Sequence, residues 1–89
     1  MTNSNLGAKV MYSLSETDVQ AVMELQSEGK AVNPVQVGQQ VPGIVTSDWG
    51  NGMPGAACNI IIFLDGQVVP QWRTSVSPGT VPGTFQFVY

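Results

Sequence analysis

Four consecutive residues late in the chain carry groups that can bind a planar, phosphorylated ligand. An aromatic plane, a guanidinium and two hydroxyls come from Trp72, Arg73, Thr74 and Ser75. A ring stacks on a base, arginine holds phosphate through paired N–H groups, and hydroxyls bind phosphate or ribose. In a strand Trp72 and Thr74 would share one face, so Arg73 and Ser75 would join them only in a groove between subunits. The alternative is that Trp72 belongs to the core and Arg73 is a solvated edge charge.

A glycine-rich segment, GNGMPG at 50–55, directly follows Trp49. Its backbone N–H groups have few bulky neighbours, which favours an anion-binding nest. The segment lacks the lysine of a phosphate-binding P-loop, and no helical pattern follows it. A plain connection between strands is therefore the alternative. With Trp49 and Asn51, the predicted ligand site comprises Trp49, Asn51, Trp72, Arg73, Thr74 and Ser75.

The groups that ordinarily carry out catalysis are few. The chain has no histidine and one cysteine, Cys58, which removes histidine-based catalysis and cysteine zinc sites. Cys58 lies in an apolar run and is expected to be a buried thiol. Asp48 and Asp65 are expected to serve turns, and the four helix carboxylates to form a solvated face: Glu16, Asp18, Glu24 and Glu28. We therefore expect no enzyme, no cofactor and no metal.

Composition narrows the possible partners. Only 10% of the 89 residues are charged, with three cations and six carboxylates. A nucleic-acid polymer or an anionic membrane surface needs many more Lys and Arg side chains, so neither is an expected partner. A small domain with so little surface charge is expected to cover part of its surface with copies of itself. No signal sequence or membrane span is visible, which predicts an intracellular protein.

One helix is predicted over 15–29. Ser15 and Asp18 have the spacing of a capping box, and Leu14 is placed to pack on Val19 as a hydrophobic staple. Gly29 suits the position just after the helix. The predicted apolar stripe consists of Val19, Val22 and Met23.

Alternating and apolar runs predict short strands. They fall at 9–14, 44–49, 56–64, 67–76 and 85–89. The apolar run 60–64 predicts an internal strand buried on both faces, and Asp65-Gly66 predicts a type I′ hairpin turn. Pro42-Gly43 is expected to precede a strand, and Pro70 to mark a bulge or a sheet edge.

These elements predict an α+β, mainly β fold. One N-terminal helix would pack on a small antiparallel sheet or barrel of four to five strands. Residues 1–8 are expected to be a flexible tail and 9–89 a single domain.

The order of several short motifs resembles a group of small phage-encoded proteins. The motifs are YxLSExD (12–18), NPVxxG (33–38), VxxxWG (45–50), IxxFLDG (60–66), WxTSV (72–76) and PGT (82–84), which together span most of the chain. Arg73 departs from the group, in which an apolar residue is more frequent. The resemblance implies a phage genome, the host cytoplasm and a shared fold.

Such an origin favours proteins that bind rather than catalyse. The first hypothesis is a homo-oligomer that sequesters a small ligand, such as a nucleotide immune signal, to counter host defence. The alternative is a virion accessory or protein-interaction module without a small-molecule ligand. An enzyme would need Asp48, Cys58 or Arg73 to act with a bound metal or another subunit.

Overall fold

The computed structural model describes residues 5–30, 32–50, 55–66 and 70–88. Strand β1 (Lys9–Ser13) is followed by helix α1 (Glu16–Ser27) and then by four strands: β2 (Gln40–Asp48), β3 (Cys58–Ile62), β4 (Gln71–Val76) and β5 (Phe85–Phe87). The strands form one sheet in the order β4-β3-β2-β1-β5, and every neighbouring pair is antiparallel. The predicted α+β fold, with the helix on a mainly β domain, is confirmed.

The sheet is curled so that its two edges approach each other. Val76, the last residue of β4, still pairs with Cys58 of β3. The next residue, Ser77, accepts a hydrogen bond from the Phe85 amide at 3.2 Å, and Pro78 forms a parallel bridge with Phe85. Because β5 is the opposite edge strand, the segment after β4 joins the two edges at one end, as in a partly closed barrel.

The helix begins and ends where the local sequence predicts. The Ser15 side chain accepts from the Asp18 amide and the Asp18 side chain accepts from the Ser15 amide, which completes the capping box. Gly29 has φ +80°, and the Lys30 amide donates to the Leu25 carbonyl, as in a Schellman ending. Val22 is buried, whereas Met23 is 61% exposed, so the predicted stripe is wrong at Met23.

The core lies between α1 and one face of the sheet. The buried residues contributed by the strands are Val10, Tyr12, Val41, Val45, Cys58, Ile60, Ile62, Val76 and Phe85. Leu14, Val22, Val32 and Leu64 complete the cluster from the helix and the connections. At the centre, Gly43 lies between Val10 and Ile62 in the register, and a Cβ there would come within 2.7 Å of the Ile61 carbonyl oxygen. The residue at 43 must therefore be small for β2 and β3 to pair.

Two predicted boundaries are wrong, and both involve proline. Pro42 and Gly43 lie inside β2 rather than before it. Phe63 is level with Pro42 and donates its amide to the Pro42 carbonyl at 2.9 Å, one residue beyond the end of β3. The hydrogen bond that Pro42 cannot donate would therefore lie at the end of the β2–β3 ladder, where the pairing already stops. Likewise, β4 starts at Gln71, directly after Pro70, and 67–69 at the start of the predicted strand lie outside the described residues.

The connection between β3 and β4 is longer than a two-residue turn. Ile62 pairs with Gln71, which is the last pair of the β3–β4 ladder on this side, and eight residues separate the two in the sequence. A type I′ turn needs positive φ at both of its central residues. Gly66 has φ +84°, but the φ of Asp65 is not positive, so the predicted type I′ turn is wrong. Asn33 explains the difference, because its amide donates to the Asp65 carbonyl at 3.1 Å and its side chain donates to the Asp65 carboxylate at 2.5 Å.

Residues 5–8, the described part of the predicted tail, pair with β2. The Gly7 amide donates to the Val45 carbonyl at 2.8 Å, and the Val45 amide donates to the Ala8 carbonyl at 3.0 Å. The Asn5 amide donates to Asp48 Oδ2 at 2.9 Å. These bonds extend the β1–β2 pairing toward the amino end of the described chain. Residues 1–4, and Tyr89 at the end of the predicted last strand, lie outside the described residues.

Candidate functional site

The side chain of Asn59 holds together three of the predicted site residues. Its Oδ1 accepts from Trp49 Nε1 at 3.2 Å, from Thr74 Oγ1 at 3.0 Å and from the Ser75 amide at 2.8 Å. Asn59 itself is buried, whereas Trp49 is 64% exposed. We call these four residues the Asn59 cluster. The hydrogen bond to Asn59 fixes the position of Trp49, while most of the Trp49 ring stays exposed to solvent.

Two β-bulges beside Asn59 make this arrangement possible. On the β4 side, the register passes from Ile60↔Arg73 to Cys58↔Val76, so Thr74 and Ser75 together oppose Asn59. On the β2 side, the register shifts between Val45 and Ser47. Ser75 has φ +53°, the left-handed region that serine seldom occupies. The bulge turns the Ser75 amide toward Asn59.

The bulge also corrects the predicted alternation along β4. Trp72 and Thr74 lie on one face and Arg73 on the other, as predicted. Strict alternation from Trp72 and Thr74 would place Val76 on their face, but Val76 is buried and pairs with Cys58 in the core. The extra residue in β4 shifts the alternation by one position, and sequence alternation alone cannot register that shift.

The sheet face turned away from α1 is largely apolar and is not covered by any described element. Register places Ile44, Ile61 and Trp72 in one cross-strand row, with Lys9 at its end. A second row contains Met11 and Pro42, with Phe63 level with Pro42. We call this surface the uncovered face, formed by Met11, Pro42, Ile44, Ile61, Phe63 and Trp72. The run 60–64 is therefore buried on one face only, which corrects the predicted two-sided burial.

The exposed fractions show how open this surface is. Trp72 is 57% exposed, Ile44 42% and Phe63 39%. The Asn59 cluster lies at one end of the same face, since Asn59 and Ile61 alternate with the core residues Cys58 and Ile60 along β3. Trp49 and Trp72 are thus two large, exposed rings on one side of the sheet.

Arg73 points into the other side of the sheet and is engaged there. Its Nε donates to Asp18 Oδ1 at 2.8 Å, its second terminal nitrogen donates to Gln71 Oε1 at 2.6 Å, and its first donates to the Trp72 carbonyl at 3.1 Å. The Arg73 side chain is 22% exposed and that of Asp18 6% exposed. This ion pair links β4 to the first turn of α1.

Asp18 is the centre of a second polar cluster. Its Oδ2 accepts from Tyr12 Oη at 2.6 Å, from the Ser15 amide at 2.8 Å and from Ser15 Oγ at 2.8 Å. The expectation that Asp18 belongs to a solvated face is therefore wrong. Burial raises the pKa of Asp18, but the hydrogen bonds from Tyr12, the Ser15 amide and Arg73 outweigh burial and hold that pKa below its usual value.

Tyr12 and Arg73, two of the three residues bonded to Asp18, are affected by it in different ways. Burial, followed by the hydrogen bond to Asp18 and its negative charge, raises the pKa of Tyr12 to about 12. Tyr12 therefore stays a neutral donor at any ordinary pH. The positive charge of Arg73 is balanced by the buried carboxylate of Asp18. The cluster ties β1, α1 and β4 together around one carboxylate.

The remaining candidates for chemistry have structural duties. Asp48 accepts from the Gly50 amide at 3.0 Å and from the Asn5 amide, which is the turn role expected of it. Cys58 is buried, and burial together with the nearby Asp48 charge raises the pKa of its thiol. A raised thiol pKa lowers the fraction of nucleophilic thiolate at neutral pH.

The structure divides the predicted ligand site. Trp49, Thr74 and the Ser75 amide meet at Asn59, and Trp72 lies on the same sheet face. Arg73 is directed to Asp18 on the opposite face. Asn51, together with 52–54 of the glycine segment, lies outside the described residues. The site as predicted is thus brought together only in part within one chain.

Sequence reasoning missed Asn59, although a signal for it was present. Asn59 is the single polar residue of β3, between Cys58 and the isoleucine run. A polar side chain in a buried strand almost always has hydrogen-bond partners. That rule identifies Asn59 as a structural centre but does not identify Trp49, Thr74 and Ser75 as its partners.

In the described ranges no group of three or more His, Cys, Asp or Glu side chains is placed to hold a metal ion. No helix in that part of the chain is long and apolar enough to cross a membrane. Comparison with protein-family models, curated proteins and solved structures found no significant match.

Proposed function

We propose that this protein is a non-enzymatic binding protein that acts as a homo-oligomer and sequesters a small planar ligand, such as a nucleotide immune signal, in the cytoplasm of a phage-infected host. The observation that supports it is the pair of exposed rings, Trp49 and Trp72, on one rigid sheet face. A base stacked on an aromatic side chain gains about 1–3 kcal/mol. Phage origin and the anti-defence role rest on the motif resemblance.

The charged groups of the described residues support binding over catalysis. Asp18 is saturated by four hydrogen bonds, Asp65 is held by Asn33, and Asp48 serves a turn. The thiol of Cys58 is buried with a raised pKa. A general acid or base needs a free titratable group beside the substrate. Asp18 and Cys58 are buried, so neither offers one.

Calorimetry tests the proposal directly. Wild-type protein is titrated with cyclic dinucleotides and with ADP-ribose derivatives, and at least one ligand is expected to bind. Replacement of either ring, Trp49→Ala or Trp72→Leu, is expected to weaken that binding about tenfold to a hundredfold. The matched control is Val81→Ala, which trims a side chain that is 62% exposed in the loop before β5. Folded wild-type protein that releases no heat with any member of the panel contradicts the proposal.

A second candidate is a protein-interaction module, either a virion accessory or an inhibitor of a host protein. Arg73 favours it, because its ion pair with Asp18 leaves the face of Trp72 without a guanidinium for phosphate. An apolar face with exposed tryptophans suits a protein partner, since tryptophan is enriched among the residues that dominate protein interfaces. Mass spectrometry of purified virions distinguishes the virion form, which requires the protein to be present in the particles.

A further inference from the structure

We infer that the uncovered face is the surface through which two copies of this chain associate, face to face, about a two-fold axis that runs parallel to the strands between β2 and β3. The inference rests on the proposed function in one respect, the homo-oligomer, and it assigns the surface and geometry of that contact.

The exposed area matches what a dimer requires. A tryptophan or phenylalanine side chain presents about 150–250 Å². At 64%, 57% and 39% exposure, Trp49, Trp72 and Phe63 together leave roughly 400 Å² of aromatic surface in water. A standard interface takes about 800 Å² from each partner, a little over half of it apolar. With Ile44 added, the face supplies the apolar share of one side of such an interface.

The charges of the face permit a second copy to approach. Lys9 is the only charged residue in the two cross-strand rows, and it stands at the end of the row opposite Trp72. All other residues of the uncovered face are neutral. Two identical faces therefore meet without like charges at their centre, where repulsion would be strongest.

The order of the row selects the two-fold axis. The row reads Lys9, Ile44, Ile61, Trp72 across β1, β2, β3 and β4. An axis parallel to the strands and midway between β2 and β3 reverses this order in the second copy. Each Lys9 then faces Trp72 of the other copy, a cation–π pairing, while the isoleucines meet at the centre. An axis along the row would instead place Lys9 on Lys9.

Such an arrangement also serves the domain itself. A chain of 89 residues buries only about 60–65% of the surface that its unfolded form exposes. A domain of this size whose sheet is covered on one side only is therefore marginally stable. Packing two sheets face to face gives each sheet a second covered side, as in a β-sandwich. Trp72 lies within this contact and Trp49 adds to it at the margin, beside the Asn59 cluster, so a ligand stacked on either ring would lie between the two copies.

Light scattering on size-separated protein, without any ligand, tests this inference. Wild-type protein at about 100 μM is expected to have the mass of a dimer. Ile44→Glu places a charge at the centre of the contact and is expected to raise the dimer dissociation constant by on the order of a hundredfold or more. The matched control is Met23→Glu, which puts the same charge on an exposed apolar residue of α1 and is expected to leave the mass unchanged.

A second variant covers the possibility that Ile44→Glu does not fold. Ile44→Thr keeps a β-branched residue in the strand, and it is expected to weaken association by about tenfold. A wild-type monomer at 100 μM, or variants at Ile44 that stay as dimeric as Met23→Glu, would overturn the inference. These outcomes are separate from ligand capture. A monomer that still binds a nucleotide overturns the interface and the homo-oligomer but not ligand capture, and a dimer that binds none overturns only ligand capture.

Discussion

Replacement of Asp18 by asparagine should remove a large part of the stability of this domain. The carboxylate accepts from Tyr12, from the Ser15 amide and hydroxyl, and from Arg73. An amide has one acceptor oxygen, so either Arg73 or the Ser15 amide loses its acceptor, and the charge is lost as well. Breaking one side of a buried ion pair costs about 3–5 kcal/mol. Arg73 is 22% exposed, so water recovers part of this, and we expect a loss of about 3 kcal/mol.

Urea unfolding at pH 7, followed by circular dichroism, measures this loss. The matched control is Glu16→Gln, which removes an exposed carboxylate from the same first turn and costs at most about 1 kcal/mol through the helix dipole. A whole domain of this kind is stable by about 5–15 kcal/mol, so the two variants separate clearly. If Asp18→Asn costs no more than Glu16→Gln, the account of Asp18 as a buried centre is refuted.

Acid should erase the difference between wild type and Asp18→Asn. The folded pKa of Asp18 lies below its ordinary value of 3.8, so the unfolded chain takes up the proton first as pH falls. The stability that Asp18 contributes is complete above pH values of about 5 and is lost as pH falls through the folded pKa. The difference in unfolding free energy between the two proteins should therefore shrink as pH falls below 3.8 and should vanish below the folded pKa of Asp18. A difference that stays constant from pH 7 to pH 2.5 contradicts the assignment of a charged Asp18.

Three further variants or conditions test individual features of the fold. Ser75→Gly should stabilise the domain by about 0.5–1 kcal/mol in urea unfolding, because glycine adopts φ +53° without strain, whereas Ser77→Gly should not stabilise it. Gly43→Ala should destabilise the domain by about 1–3 kcal/mol or more, because the new Cβ would lie 2.7 Å from the Ile61 carbonyl oxygen. An unchanged urea midpoint for this variant contradicts the close approach of β2 and β3. The stability of the wild-type protein should decline as pH rises from 10 toward 12. The pKa of Tyr12 is raised to about 12 in the folded protein, so its phenol ionises first in the unfolded chain. Tyr12→Phe should lack this part of the decline.

Local signals in the sequence are enough to predict the helix. Ser15 and Asp18 are three residues apart, and Gly29 follows the last turn, so the information lies within the helix and its caps. The fold class follows similarly, because short apolar runs separated by Gly and Pro determine the number of strands. These interactions are short in range and depend little on the rest of the chain.

The features that could not be predicted from the sequence depend on contacts between residues far apart in the chain. Asp18 looks like a solvated helix carboxylate until Arg73, 55 residues later, is placed beside it. The run after Asn59 looks buried on both sides, but α1 covers only one face and leaves Ile61 and Phe63 on the other. The bulge at Thr74 and Ser75 depends on Asn59 in the neighbouring strand. Each of these facts depends on which strands meet, and composition and alternation do not specify that.

The site could be predicted by residue type better than by arrangement. Trp49, Trp72 and Thr74 lie on one face, as a binding surface requires. The expected partnership of Trp72 with Arg73 is not made within one chain, because neighbouring residues of a strand point to opposite faces. Which molecule meets the tryptophans is therefore a question for measurement on the assembled protein.

The central claim, that this chain acts by binding through its uncovered face, is tested most directly by acrylamide quenching of tryptophan fluorescence as a function of protein concentration. Both tryptophans are more than half exposed in the single chain. If two copies meet on this face, the quenching constant should fall by up to about twofold between nanomolar and high micromolar protein, because Trp72 becomes covered while Trp49 stays partly open. A quenching constant that stays at the value for exposed tryptophan over the whole range, with and without the nucleotide panel, contradicts the claim.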